Sequence, residues 1–248
     1  MKEVPMQTIT VTLLANAGVL LTFGSYRILI DGFQNSQQHS FSQIPDWVSS
    51  AMAGGILQDI DFLLFTHSHP DHFFKETLLD YLTHHKVRGV YLPRDAEGAL
   101  VRKKCLQKDV WIEKTEQALT GNIYLKALPT RHMGEVYRKQ NHHAFLLTLG
   151  DWVLLFTADA ETSKENFAEV EEVPLDAVFV NPLFFHSRQG RELLKTTLTS
   201  PHVIVYHLCF AEEDRYGYRA MTERNRNRYV SDFAKISLLK EVQQSIVI

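Results

Sequence analysis

Short apolar runs recur along the whole chain and predict a protein built largely from β-strands. Residues 8–13 alternate between apolar and polar side chains, as a half-buried strand does. Residues 62–65 are apolar throughout, which predicts a buried strand. Further strands are predicted at 19–23, 27–30, 87–92, 123–128, 144–148, 152–156, 177–180 and 203–206.

Helices are predicted between several of these strands. Their predicted positions are 46–53, 72–84, 95–106, 162–170 and 221–241. Loops expected to shape a cleft lie at 33–43, 131–143 and 183–192. Strands come first and are later mixed with helices, which suits two packed sheets with helices outside. No linker divides the chain, so we expect one domain over residues 1–248.

A polar stretch follows the predicted strand at 62–65. It contains His67, His69, Asp71 and His72 within six positions. Three imidazoles and a carboxylate this close together suit a borderline metal such as zinc. His67 and His69 can point to one side of a strand-end loop. Asp71 and His72 lie at the start of the following helix and can turn toward a neighbouring point. One loop is therefore predicted to serve two adjacent metal positions.

Other candidate ligands also follow strand ends. His132, Asp159 and His207 each lie within a few residues of such an end, and so does Asp31. Side chains from several strand ends at one sheet edge can converge on one site. Taken alone, Asp159 could instead cap the following helix.

Composition narrows the classes of function. The chain has 248 residues, 45% of them hydrophobic and 22% charged, which is ordinary for a globular protein. The net charge of -3 argues against a general nucleic-acid binder. No apolar run reaches the length of a membrane span, and no stretch of signal-peptide type precedes the first strand. The chain has two cysteines and no disulfide framework is implied, so we expect a cytoplasmic protein. We expect its substrate to be a small molecule.

The order His-x-His-x-Asp-His, then a lone His, an Asp and a last His, resembles the metallo-β-lactamase superfamily. The match runs from the opening hairpin to His207. It implies an α/β fold, a four-layer αββα sandwich of two mixed β-sheets with a metal site at the sheet edges. The opening NAGVLLTFGSYRILIDGF is similar to small zinc-dependent hydrolases related to ascorbate-6-phosphate lactonase. Where family members often have Gly-Asp and Asp-Pro, this chain has Ala158-Asp159 and Asp31-Gly32.

The resemblance implies two divalent metal ions, with Zn²⁺ favoured and Mn²⁺ or Fe²⁺ as alternatives. The ligands it assigns are His67, His69 and His132 to the first ion, Asp71, His72 and His207 to the second, and Asp159 to both. Asp31 matches the acidic residue that supports the ligands from behind.

This ligand set implies a hydrolase in which a hydroxide bound by both metals attacks a small ester, lactone or phosphoester. Asp71 is the predicted catalytic residue, because it can orient the water or carry its proton to the leaving group. Two alternatives stay open: a mononuclear iron oxygenase of the same fold, and a non-catalytic metal-binding module.

Candidate substrate contacts are less specific. His142 and His143 either start a strand or contact substrate, and His186 lies past a strand end where it could line the cleft. The arginine-rich stretch after residue 214 forms either a solvated helix face or an anion site. If it is an anion site, Arg219 and Arg224 would bind a phosphate or carboxylate of an anionic substrate.

Overall fold

Two β-sheets form the centre of the protein, which the computed structural model describes over residues 7–34 and 55–248. The first sheet contains, in spatial order, β13 (Ser245–Val247), β1 (Ile9–Ala15), β2 (Gly18–Phe23), β3 (Tyr26–Ile30), β4 (Phe62–Leu64) and β5 (Gly89–Tyr91). Its first four strands are antiparallel, and β3, β4 and β5 are parallel. The sheet is therefore mixed, as expected.

The second sheet is mixed as well. It contains, in spatial order, β12 (Ile236–Leu238), β11 (His202–Val205), β10 (Ala177–Val180), β9 (Trp152–Phe156), β8 (His142–Leu149), β7 (Ile123–Thr130) and β6 (Glu116–Thr120). Strands β9 to β12 are parallel, whereas β6 to β9 are antiparallel. Parallel neighbours end at the same edge, which gathers several strand ends in one place.

Helices cover the outer faces of both sheets. They are α1 (Lys75–His84), α2 (Ala96–Lys104), α3 (Pro182–His186), α4 (Arg188–Thr196) and α5 (Tyr218–Arg228). Within β4, Phe62 and Leu64 pack between the sheets, and Leu63 packs outward against α1. Both faces of this strand are buried, which explains its continuous apolar run. The predicted four-layer sandwich is confirmed.

Several predicted elements need correction. Residues 221–241 do not form one helix, because α5 ends at Arg228 and Ile236–Leu238 joins the second sheet as β12. There Ile236 and Leu238 pair with β11 and bury apolar surface that a solvent-facing helix would expose. Residues 162–170 contain only the 3₁₀ turn Glu165–Val170. The predicted helix at 46–53 lies outside the described residues.

The segment 183–192 was predicted as a loop, but it forms α3 and α4. Asn181 begins α3 by accepting a hydrogen bond from the Phe184 backbone N–H at 2.8 Å. Ser187 begins α4 in the same way, with the Gly190 N–H at 2.8 Å. Both are ordinary helix-capping residues, so local capping chemistry produces two short helices in sequence. No helix in the described part of the chain is both long and apolar enough to cross a membrane.

Candidate metal centre

Loops at one edge of the two sheets carry the predicted ligands. Residues 66–72 follow β4, and the loops holding His132, Asp159 and His207 follow β7, β9 and β11. A bridge between His132 and Ala160 joins two of these loops, and the Met133 N–H donates to the Asp159 carbonyl at 2.8 Å. The strand ends therefore converge as the sequence predicts.

The first group consists of three histidines, His67, His69 and His132. One ring nitrogen from each lies within 4.8 Å of the others. The His67 Nε2 and His69 Nδ1 atoms are 3.1 Å apart. His67 and His132 are buried. Three imidazole nitrogens that face one point form a donor set typical of zinc.

The second group consists of Asp71, His72, Asp159 and His207. Their ligand atoms also lie within 4.8 Å of one another. The Nε2 atoms of His72 and His207 are 3.0 Å apart, and the Asp71 Oδ2 atom lies 3.5 Å from the His207 Nε2 atom. Two imidazoles and two carboxylates thus face a second point.

Asp159 lies between the two groups. Its Oδ2 atom is 3.9 Å from the His67 Nε2 atom and 3.6 Å from the His132 Nε2 atom in the first group. The same oxygen is 3.3 Å from the His72 Nε2 atom, and Oδ1 is 3.5 Å from the His207 Nε2 atom. One carboxylate can therefore contact ions at both points.

The hydrogen bonds of the histidines leave lone pairs directed into the cluster. His132 donates from Nδ1 to the Met133 carbonyl at 2.6 Å, and its buried Nε2 has no hydrogen-bond partner among the described residues. His72 donates from Nδ1 to the Asp31 Oδ2 atom at 2.8 Å. A buried imidazole nitrogen without a hydrogen-bond partner, as in His132, fits a metal ligand. The residues present therefore fit two metal ions.

Asp31 supports the cluster from behind. It is fully buried, and its backbone has a φ of 49°. Its carboxylate accepts hydrogen bonds from the Thr66 N–H at 2.8 Å, the Thr66 hydroxyl at 2.7 Å and the His72 imidazole. This network fixes the orientation of the His72 ring and of the loop start.

Two residues to which the sequence gave no role in positioning the ligands hold Asp159 in place. The Asp159 N–H donates to the His142 Nε2 atom at 3.1 Å, so His142 carries its proton on Nδ1 and donates it to the Thr130 hydroxyl at 2.7 Å. The Asn181 amide donates to the Ala158 carbonyl at 2.8 Å and to the Asp159 Oδ1 atom at 3.3 Å. Neither residue belongs to a ligand motif, and only their positions at strand ends could have indicated them.

Burial sets the protonation of the cluster. Burial lowers the pKa of His67 and that of His142 well below the ordinary value, which keeps both rings neutral. Burial raises the pKa of Asp159, but His207 and His72 outweigh it and hold the pKa well below its usual range. Burial also lowers the pKa of His72 and that of His207, but the neighbouring carboxylates outweigh it and raise both. Metal binding takes neutral imidazoles and an ionised carboxylate, so a metal ion would displace a proton from His72 and from His207.

The histidines predicted as substrate contacts do not line the cavity beside the cluster. His143 is buried in β8 beside Tyr91 and lines a different cavity. The His186 Nε2 atom bonds to the Thr222 hydroxyl at 2.8 Å, which ties α3 to α5. A contact of either ring with substrate stays a prediction.

The two arginines predicted to contact an anionic substrate also lie outside the cavity wall, and their contact with substrate stays a prediction. The Arg219 guanidinium donates to the carbonyls of Cys209 at 3.0 Å and Lys240 at 2.6 Å, and it pairs with Glu241. It therefore fastens the C-terminal segment, and it does not line the cavity beside the cluster. Arg224 is exposed on α5 and does not line the cavity beside the cluster.

A cavity of about 400 Å³ opens beside the metal centre. His132, Asp159 and His207 form one part of its wall, and the rest includes Tyr137 and Leu183. The Tyr137 ring centroid lies 4.8 Å from that of His69 and 5.0 Å from that of His132. The cavity therefore leads directly to the ligand cluster.

The comparison with known proteins shows the fold. No protein-family model matches the chain. The metallo-β-lactamase fold protein YhfI of Bacillus subtilis superposes with a TM-score of 0.67 at 16% identity, covering 97% of this chain and 100% of its own. The diiron β-hydroxylase CmlA of Streptomyces venezuelae gives 0.65 at 18% identity, covering 97% of this chain and 54% of its own. The chain has the metallo-β-lactamase fold.

One curated protein shares sequence with part of the chain. The 4-amino-L-phenylalanyl-(CmlP-peptidyl-carrier-protein) 3-hydroxylase of Streptomyces venezuelae is 31% identical over 132 residues. The alignment covers 49% of this chain and 24% of that protein. Metallo-hydrolases also occur among the solved structures of similar fold. The similarity to relatives of ascorbate-6-phosphate lactonase stays a prediction.

Proposed function

We propose that this protein is a metal-dependent hydrolase that acts on a small ester, lactone or phosphoester. The observation that carries the proposal is the Asp159 carboxylate, whose Oδ2 atom lies within 3.9 Å of nitrogen atoms from both ligand groups. Two divalent ions bound here would activate water as a nucleophile and polarise the bond under attack. The imidazole-rich donor set favours Zn²⁺, with Mn²⁺ or Fe²⁺ as alternatives.

Asp71 is proposed as the residue that moves the proton. Its carboxylate borders His72 and His207, with Oδ2 3.8 Å and 3.5 Å from their Nε2 atoms. The side chain is 17% exposed, so solvent reaches part of it. From this position it can accept a proton from the attacking water and pass it to the leaving group. Asp31, His142 and Asn181 hold the neighbouring ligands in position.

A diiron hydroxylase is the second candidate. The observation that favours it is the 31% identity to the Streptomyces hydroxylase, together with the shared fold of CmlA. Histidine and carboxylate ligands suit iron as well as zinc. A mononuclear oxygenase would need only the first group with Asp159, leaving Asp71, His72 and His207 without a metal to bind.

The oxygen dependence of turnover distinguishes the two candidates. Zinc-loaded and iron-loaded protein are screened against esters, lactones, thioesters and phosphodiesters, both in air and without oxygen. We expect equal rates with and without oxygen. We also expect the product to contain ¹⁸O when the reaction runs in H₂¹⁸O. We also expect Asp71→Asn to lower kcat by about 10²-fold or more with little change in KM. Turnover only with iron, O₂ and a reductant would contradict the hydrolase.

A further inference from the structure

The cavity beside the metal centre has mainly apolar walls. Away from the predicted ligands, its wall includes Met133, Tyr137, Pro182, Leu183 and Tyr218. Among the described residues that line it, none is lysine or arginine. A phosphorylated or polyanionic substrate would find no cationic side chain on this wall to replace its hydration.

Three arginines near the wall residues in sequence are engaged in other contacts, and Arg131, which adjoins His132, does not line the cavity. Arg219 donates to two backbone carbonyls and pairs with Glu241. Arg191 donates to the Phe185 carbonyl at 2.9 Å and to the His186 carbonyl at 2.5 Å. Arg138 pairs with Glu135 at 2.5 Å. The sequence at 35–54, outside the described part, contains no lysine or arginine either.

Two exposed apolar side chains stand in the cavity wall. Tyr137 is 47% exposed and Leu183 is 44% exposed, although both are large apolar residues. The Tyr137 ring also contacts the rings of His69 and His132. A group resting on Tyr137 would therefore lie next to the first metal position, and covering these two side chains would favour binding.

From this arrangement we infer that the cavity binds an uncharged substrate body with an aromatic or aliphatic group, packed on Tyr137 and Leu183. The inference rests on the proposed function, because it takes the metal centre as the place of reaction. It narrows the proposed substrates to those that carry no charge away from the reacting bond. On this cavity wall, negative charge on a substrate would be attracted mainly by the proposed metal ions, next to which the reacting bond would lie.

Binding of three hydroxamic acids to the zinc-loaded full-length protein tests the inference by calorimetry. All three carry the same metal-binding head. Acetohydroxamic acid has no tail, 4-phenylbutanehydroxamic acid has an aromatic tail, and suberic acid monohydroxamate has a tail that ends in a carboxylate. We expect the aromatic tail to tighten Kd by about tenfold or more over acetohydroxamic acid, because it buries apolar surface. The carboxylate tail should bind no tighter than the aromatic one.

Variants locate the effect in the wall. Tyr137→Ala and Leu183→Ala should each reduce the gain from the aromatic tail to less than about threefold. Tyr124→Ala is the matched control, because Tyr124 is 49% exposed on β7 and does not line this cavity. It should leave the gain unchanged. Urea unfolding midpoints show whether each variant remains folded, which is expected because all three side chains are nearly half exposed.

The outcomes separate this inference from the proposed function. If acetohydroxamic acid binds but the aromatic tail adds nothing, or the carboxylate tail binds tightest, the metal centre stands and the inference is overturned. The inference is overturned in the same way if the gain survives in both wall variants. If acetohydroxamic acid does not bind zinc-loaded protein, the proposed metal centre fails, and the inference fails with it.

Discussion

Asp159→Ala is expected to reduce the metal content from about two ions per chain to one or fewer. The Asp159 carboxylate reaches nitrogen atoms of both groups, so its loss removes a ligand from each position. The imidazole nitrogens then lie close together without the carboxylate between the two groups. We expect kcat to fall by about 10³-fold or more, equivalent to about 4 kcal/mol in the activation barrier. Elemental analysis of dialysed protein and steady-state kinetics measure both effects.

The matched control is Asp151→Ala. Asp151 is an exposed aspartate in the turn between β8 and β9, on the same part of the chain but outside the cluster. Its replacement should leave metal content and kcat unchanged. Asp159→Ala protein that keeps two ions and full activity would show that this carboxylate does not bridge the two positions.

Asp31→Ala is expected to destabilise the fold as well as the metal site. The carboxylate is fully buried and accepts three hydrogen bonds, from the backbone and hydroxyl of Thr66 and from His72. Removing it leaves buried donors without partners, and we expect the free energy of unfolding to drop by about 3–5 kcal/mol. Metal affinity should also fall by about 10–100-fold, because the His72 ring loses its orientation.

Urea unfolding of metal-free protein and competition with a chelator measure these two effects separately. Asparagine, like aspartate, tolerates the φ of 49° at this position. Its amide has one acceptor oxygen where the carboxylate has two, so Asp31→Asn can accept only some of the three hydrogen bonds. Its unfolding free energy should lie between those of Asp31→Ala and the parent. Asp80→Ala, on the exposed surface of α1, is the control and should change neither quantity. An Asp31→Ala protein as stable as the parent would contradict this role.

The ligand positions could be predicted because local order in the sequence determines them. His67, His69, Asp71 and His72 lie in one short loop after a strand whose apolar run is unmistakable. His132, Asp159 and His207 follow strands that end at the same sheet edge, so predicting the strands was enough to predict their convergence. Here the short-range pattern and the topology agree.

The residues around the ligands depend on packing that the sequence pattern does not show. His142 contacts the Asp159 backbone only because β7, β8 and β9 bring Thr130, His142 and the Asp159 loop together. Arg219 looks like a candidate anion contact in the sequence. In the fold, however, the chain after β12 returns past α5, and there the Lys240 carbonyl and the Glu241 carboxylate bind the guanidinium. Long-range contacts of this kind override the local composition.

The most direct test of the dinuclear centre is anomalous X-ray scattering from crystals of the metal-loaded protein, recorded at the absorption edge of the bound metal. We expect two peaks about 3.5–4 Å apart, with Asp159 between them. One should lie about 2.0–2.1 Å from nitrogen atoms of His67, His69 and His132, and the other at similar distances from those of His72 and His207. A single peak, no peak, or peaks away from these side chains in fully loaded protein would contradict the dinuclear metal centre.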